Sequence, residues 1–139
     1  MLTFIAKAAT SLMAFPGAMM VARGLGRGEL FPMPAEMRFD EKLAAVSPRF
    51  IPAEHLMTFV LAAGVAKILV FLNNWVFRSK SIATLLFLAS IPGFALVAFA
   101  HDAIGQTAPA DVAPCVVMPV LLMILSSSGF GGGAKAKRN

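Results

Sequence analysis

The stretch that decides the fold is Leu56–Phe77, LMTFVLAAGVAKILVFLNNWVF. Its only charged residue is Lys67, and Trp75 lies near its far end. As a helix, this stretch would be about 33 Å long at roughly 1.5 Å per residue, which is enough to cross a bilayer core of about 30 Å. The sequence therefore predicts a membrane-spanning helix here, with an aromatic residue where a helix meets the membrane surface.

The composition of the whole chain favours the same environment. Of the 139 residues, 58% are hydrophobic and only 14% are charged, and the charged residues are segregated from long apolar runs. This pattern is typical of an integral membrane protein rather than a soluble domain. The net charge of +5 is not accompanied by a basic run interleaved with aromatic residues, so we predict no nucleic-acid partner. The single Cys115 excludes an internal disulfide.

Three further apolar runs accompany Leu56–Phe77, and together they predict a single membrane domain over residues 1–139. The predicted fold class is all-α, an integral membrane four-helix bundle with no sheet. The predicted spans lie at about 2–22, 56–77, 82–100 and 112–128, with a long connection at 23–53 and a mobile basic tail at 129–139.

The second and third spans are separated only by the polar turn Arg78–Ser81, which predicts a helical hairpin. Small residues at Ala62–Ala66 predict that another helix approaches the second span closely. Pro16, Pro92 and Pro119 each lie inside a span, where a proline removes one backbone donor and kinks the helix. In lipid, a neighbouring helix or a side chain must satisfy the carbonyl that each proline frees.

The long connection contains one further predicted element. Within Ala35–Val46, Phe39, Leu43 and Val46 recur at helical spacing among charged residues. This pattern predicts a short amphipathic helix, which lies either on the membrane surface or against the bundle.

Lys67 is the sharpest candidate for a functional residue because it lies near the middle of a span. A charge at that depth costs at least about 2.5–3.5 kcal/mol, and no acidic residue lies in any predicted span. The sequence leaves open a carbonyl freed by a proline, Asn73 or Asn74, an internal water, a lipid or quinone head group, another subunit, or a lysine that snorkels to the surface. We predict an intramembrane polar or partner site of Lys67, Asn73 and Asn74, with the amine enclosed by protein.

A second candidate cluster combines two acid–histidine pairs. Glu54 and His55 precede the second span, and His101 and Asp102 end the third, so an antiparallel arrangement brings the pairs to one membrane face. Such side chains bind metals or relay protons, but the helix dipole explains Glu54 and His101 equally well. We predict no metal site, and no spacing typical of a catalytic residue set is present.

Three motifs suggest a family. They are the end of the long connection at Arg49–Pro52, the small residues Ala62–Ala66, and the segment Phe99–Gly105. In this order they resemble the DoxX-like family of small four-helix membrane proteins, which includes the receptor chaperone NACHO. Members range from assembly factors to subunits linked to quinone redox chemistry, so the resemblance implies a fold but no single function. The family often has a glutamate in its second span followed by a small residue, whereas Ala63 and Lys67 fall near those places here.

These observations predict a non-catalytic assembly, scaffold or accessory subunit of a larger membrane complex. The alternatives are a quinone-linked redox subunit and a small homo-oligomeric transporter or channel. We predict no cofactor, although a quinone or lipid fits the alternatives, and the expected partners are the lipid bilayer and other membrane subunits. The basic turn Arg78–Ser81 favours an orientation with both termini inside. The sequence leaves open the endoplasmic reticulum and an organellar energy-transducing membrane.

Overall fold

The structure, a computed structural model, describes residues 1–30, 53–103, 105 and 108–129. This part of the chain consists of helices joined by short turns. There is no strand within these residues. The predicted helix Ala35–Val46 and nearly all of the predicted basic tail lie outside them. The helices are α1 (Leu2–Ser11), α2 (Ala14–Gly24), α3 (Leu56–Leu72), α4 (Lys80–Ala103), the short α5 (Pro109–Val112) and α6 (Pro114–Ile124).

Short segments of other helix types extend or precede these elements. A π-helical turn, Asn73–Phe77, continues α3, and a second, Leu125–Gly129, continues α6. Single 3₁₀ turns lie at Gly28–Leu30 and Ala53–His55.

Within the described residues, three helical stretches are long and apolar enough to cross a membrane. They are Leu2–Gly24, Leu56–Phe77 and Lys80–Phe99, with mean hydropathies of 1.4, 2.0 and 2.2. A fourth stretch, Pro114–Ser127, is apolar but shorter. The prediction of an all-α chain with four apolar helical stretches is confirmed, with the qualification that only three of them have the length of a span.

The first stretch is interrupted one turn before its proline. The backbone N–H groups of Leu12, Met13 and Phe15 each bond to the carbonyl three residues earlier. The backbone is therefore wound more tightly between α1 and α2 than in a regular α-helix. Because Pro16 has no N–H, the Leu12 carbonyl lacks its normal helical donor. The Phe15 N–H takes that role at 3.3 Å, which satisfies the freed carbonyl within the same chain.

The helices pack as two pairs. α2 packs along α3, and α4 packs along α6, whereas contact between the consecutive helices α3 and α4 is sparse. A short turn therefore connects α3 and α4, as the predicted hairpin requires, but the two helices do not pack closely against each other. A gap is left where the two helix pairs face each other.

Glycines allow α2 and α3 to approach each other closely. An ideal Cβ placed on Gly64 would lie 2.7 Å from the Gly17 carbonyl oxygen and 2.8 Å from the Val21 nitrogen. An ideal Cβ on Gly24 would lie 2.6 Å from the Leu61 Cβ. The close approach expected at the small residues of the second span thus occurs at Gly64, where only a hydrogen fits between two backbones.

Two small apolar clusters form the core of the described part of the chain. Met19, Met20 and Val60 fill the contact between α2 and α3. Met13, Val70 and Leu122 meet where the two helix pairs come together. The second cluster closes one side of the gap between the pairs.

Candidate functional site

Lys67 lies on the wall of a cavity between the two helix pairs. The cavity has a volume of about 100 Å³ and is bounded by side chains from all four helical stretches, among them Met20, Phe94 and Leu122. Its lining is almost entirely apolar, with Ser90 as a second polar side chain. The lysine is therefore placed in an apolar interior space.

The stem of Lys67 is fixed by close neighbours. An ideal Cβ on Gly17 would lie 2.8 Å from the Lys67 Cβ, so the stem leaves α3 directly against α2. Gly93, which follows the α4 proline, lines the same cavity. Cys115 is half-buried on α6. Lys67 is thus surrounded by protein on several sides, and the group that its amine binds stays a prediction.

We expect Lys67→Met to lower the thermal stability of the purified chain. The polar groups that face the amine would lose their donor, at a cost of about 1–2 kcal/mol. Thermal unfolding in mild detergent, followed by circular dichroism, measures the effect. The exposed Lys80→Met is the matched control and is expected to be near neutral. Equal stability of Lys67→Met and wild type would instead indicate a snorkelling lysine, whose removal relieves a cost.

Asn74 lies in a buried polar cluster between the end of α3 and the end of α1. Its amide nitrogen lies 3.0 Å from Thr10 Oγ1, 3.0 Å from Ser11 Oγ and 3.2 Å from the Lys7 carbonyl oxygen, all acceptors of its N–H groups. The Thr10 hydroxyl in turn donates to the Ala6 carbonyl at 2.7 Å. The cluster thus joins the first and second spans through buried hydrogen bonds, which a low-dielectric surrounding strengthens.

Asn73 has a different role, which is to close the turn after α3. Its side-chain amide donates to the Ser79 carbonyl at 3.0 Å, and its side-chain oxygen accepts the Ser79 N–H at 2.9 Å. The Asn73 carbonyl accepts the Arg78 N–H at 2.8 Å. Arg78 adopts the left-handed conformation, with φ of 54°, that ends many helices. Asn73 therefore fixes the backbone between α3 and α4.

The structure gives the three residues of the predicted intramembrane site three different environments. Lys67 lines the cavity, Asn74 binds α1, and Asn73 caps the turn. Sequence reasoning missed Thr10 and Ser11, the partners of Asn74. Their position as adjacent hydroxyl residues in an apolar run was the available signal.

The second predicted cluster is distributed over the surface and the interior. Glu54 and His55 are exposed. His55 Nε2 lies 3.7 Å from Glu54 Oε1, and the two form an ion pair when the histidine is protonated. His101 is buried and its Nδ1 has no hydrogen-bond partner among the described residues, whereas Asp102 is exposed. No three histidine, cysteine, aspartate or glutamate side chains within the described part of the chain are grouped closely enough to hold a metal ion. A proton-relay role for these four residues stays a prediction.

A cluster of aromatic and basic side chains surrounds Trp75 at the end of the second span. The Lys7 amine lies 5.9 Å from the centre of the Trp75 ring, in a cation–π arrangement. Phe4 meets the same ring edge-on, with ring centres 6.4 Å apart. The Trp75 indole N–H donates to Ser11 Oγ at 2.8 Å. These contacts hold Trp75 in one orientation although nearly half of its surface is exposed.

Comparison with family models, curated proteins and solved structures found no match to this chain. The resemblance to the DoxX-like family therefore stays a prediction. The arguments that follow depend on the residues and their geometry alone.

Proposed function

We propose that this chain is a multi-pass integral membrane protein that acts as a non-catalytic assembly, scaffold or accessory subunit of a larger membrane complex. The observation that carries the proposal is the exposure of α4. This helix holds the most apolar of the three candidate spans. Only 6% of the residues in the apolar 18-residue segment of this span are buried, against 39% in the N-terminal span. Few residues of α4 are therefore fully buried by the described part of the chain.

Six of the exposed residues of α4 follow a regular pattern. They recur at alternating spacings of four and three, which is the repeat of a helix–helix seam. The seam contains the small residues Ser81 and Ala95, and small residues let helices approach closely in a membrane. The seam consists of Ser81, Leu85, Leu88, Pro92, Ala95 and Phe99, all of them exposed.

Pro92 adds a reason for a protein partner rather than lipid alone. A proline inside a helix has no N–H, so the Leu88 carbonyl loses its normal helical donor. Pro92 is exposed on the seam, and hydrocarbon offers no donor to a backbone carbonyl. A polar side chain on a helix of a partner subunit would supply one.

A quinone-linked redox subunit is the second candidate, because Lys67 places a polar group in an apolar cavity. Ligand pockets for small molecules usually have volumes of about 300–1,000 Å³. The cavity beside Lys67, at about 100 Å³, is well below this range. The size of the cavity therefore favours the accessory role over quinone binding.

The test is the recovery of a defined complex from the native membrane in mild detergent, measured by native gel and mass spectrometry. We expect the wild-type chain to travel with other subunits in fixed stoichiometry. Ala95→Trp places a bulky side chain on the seam, and we expect it to reduce that recovery at least tenfold. Ala8→Trp makes the same change at an exposed alanine of α1 and is expected to leave recovery unchanged.

Three outcomes would contradict the proposal. The first is a wild-type chain that migrates alone, and the second is equal recovery of the complex with Ala95→Trp. The third is quinone-dependent turnover by the purified chain, which would favour the redox alternative. Ion flux from liposomes containing only this chain would favour a transporter or channel.

A further inference from the structure

We propose that the cavity beside Lys67 binds a straight acyl chain of a bilayer phospholipid. The cavity lies between α3 and α4, and we call it the slot. The inference rests on the membrane insertion proposed above, but not on the role as an accessory subunit. It does not depend on which group the Lys67 amine binds.

The first observation is that the slot opens sideways between α3 and α4. Its floor consists of four fully buried side chains, Met13, Met20, Val70 and Leu122. Every other residue that lines the slot lies on α3 or α4 and is half-buried or exposed. Contact between these two helices is sparse. A ligand can therefore enter from the hydrocarbon that surrounds the two spans.

The second observation is the shape of the slot. Its lining extends along α3 from Phe59 to Val70 and along α4 from Leu86 to Val97. At 1.5 Å per residue, each of these intervals is about 17 Å long. A volume of about 100 Å³ spread over this length has room for one extended chain. A helix of a partner subunit, about 10–12 Å in diameter, does not fit.

The third observation is that small residues create the space. Ala63 and Ala66 line the slot on α3, and Ala89 and Gly93 line it on α4. An ideal Cβ on Gly93 has no atom within 4 Å. An apolar cavity of this size stays free of water, and an unfilled one loses dispersion contacts. The loss corresponds to about fiftyfold in an equilibrium constant, which an apolar occupant would recover.

The polar residues of the lining do not require a polar ligand. The Ser90 hydroxyl donates to the Phe87 carbonyl of its own helix at 2.6 Å. The stem of Lys67 is aliphatic and suits an apolar neighbour whatever its amine binds. An acyl chain is therefore compatible with both residues.

The fourth observation identifies the source of the chain as the bilayer. The lining on α3 begins about 5 Å from the Leu56 end of the span and stops about 10 Å from the Phe77 end. This depth lies within the hydrocarbon core, which the acyl chains of phospholipids fill. The slot also runs along the spans, which is the direction of those chains. Its ligand is therefore recognised by its chain and not by its head group.

The experiment measures lipid binding by the full chain purified in digitonin, a steroid detergent without a straight alkyl tail. The chain is titrated with phosphatidylcholine that has either straight palmitoyl or methyl-branched phytanoyl chains. We expect the straight-chain lipid to raise the Tm and native mass spectrometry to detect one retained lipid. The branched chains overfill the slot and should bind about tenfold more weakly. Phosphatidylglycerol with palmitoyl chains should bind like the matching phosphatidylcholine.

Gly93→Leu separates lipid binding from folding. The leucine side chain has space at this position and favours a helix over glycine, so the variant should unfold about 2–4 °C higher without lipid. It should nevertheless lose about tenfold in affinity for the straight-chain lipid, because the side chain occupies the slot. Ala89→Leu narrows the slot at its rim and should also weaken binding. Ala95→Leu makes the same change at an exposed residue of α4 outside the lining and should bind like wild type.

Four results would overturn the proposal. They are equal binding of straight and branched chains, unchanged binding in both Gly93→Leu and Ala89→Leu, an equal loss in Ala95→Leu, and equal stabilisation by free palmitate, which would indicate a fatty-acid site. Carbonate extraction of the membranes is measured in parallel. A chain released by carbonate would refute membrane insertion itself, whereas an inserted chain that does not prefer straight acyl chains would refute only the slot as a lipid site.

Discussion

Gly64→Ala is expected to disrupt much of the packing between α2 and α3 and to lower the thermal stability of the chain. The added Cβ would lie 2.7 Å from the Gly17 carbonyl oxygen, 2.8 Å from the Val21 nitrogen and 2.9 Å from the Met20 Cβ. Two of these atoms are backbone, so no rotamer change relieves the clash and the helices must separate. Overpacking of this kind costs about 1–3 kcal/mol and occasionally more, and we expect the upper part of that range. Thermal unfolding in detergent measures it.

Gly93→Ala is the matched control for this prediction. Gly93 also lies inside a helix, but an ideal Cβ there has no atom within 4 Å. Alanine favours a helix by about 1 kcal/mol over glycine, so this variant should be neutral or more stable. Gly17→Ala should behave like Gly64→Ala, because its Cβ would lie 2.8 Å from the Lys67 Cβ. If Gly64→Ala and Gly93→Ala unfold at the same temperature, the two helices are not held at the distance described above.

Asn74→Leu is expected to weaken the contact between the first two spans by about 2–3 kcal/mol. The substitution removes the donor to Thr10 Oγ1, Ser11 Oγ and the Lys7 carbonyl, and leaves these acceptors in an apolar surrounding. It also places a branched apolar side chain where a buried amide now fits. The Tm in detergent and the susceptibility of the N-terminal segment to proteolysis measure the loss.

A double-mutant cycle distinguishes the hydrogen bonds from simple packing. Ser11→Ala and Asn74→Leu share the bond at 3.0 Å, so their combined effect should be smaller than the sum of the single effects. Thr84→Val removes an exposed hydroxyl that bonds only within its own helix in the described contacts, and it is expected to be neutral. Additive effects of Ser11→Ala and Asn74→Leu would contradict the polar cluster.

Hydropathy was sufficient to predict which parts of the chain are long apolar helices. The second span was predicted over Leu56–Phe77 and has these bounds, and the third was predicted at 82–100 and extends over Lys80–Ala103. Apolar length is a property of each segment alone, so no tertiary information is needed to predict it. The fourth span was harder to predict because Ser126, Ser127 and Ser128 obscure the end of its apolar run, and the apolar helix there is shorter than a span.

The pairing of the helices could not be predicted in this way. α3 and α4 are apolar on nearly every side, so no polar face indicates which side packs against another helix. The pairing depends instead on where two glycines coincide, and Gly17 and Gly64 are far apart in the sequence. Composition identified the small residues of α3 but contained no information on their partner.

The candidate site shows the same limit. Lys67, Asn73 and Asn74 were grouped because they are the polar residues of one helix. The π-helical turn that continues α3 changes the direction of the side chains after Leu72. Asn74 then reaches α1 and Asn73 reaches Ser79, whereas Lys67 faces the cavity. The sequence was interpreted as one regular α-helix, and that interpretation could not predict the change of side-chain direction at the π-helical turn.

The short fourth helix has a consequence for the surrounding lipid. Pro114–Ser127 is about 21 Å long at 1.5 Å per residue, whereas a typical hydrocarbon core is about 30 Å thick. On this side of the protein, hydrophobic mismatch is expected to thin the bilayer, at a cost that rises with each ångström of difference. The cost is lower in the endoplasmic reticulum, at about 27 Å, than in a plasma membrane of about 32–33 Å. The chain is therefore expected to insert more stably into vesicles of short-chain lipids than into vesicles of long-chain lipids.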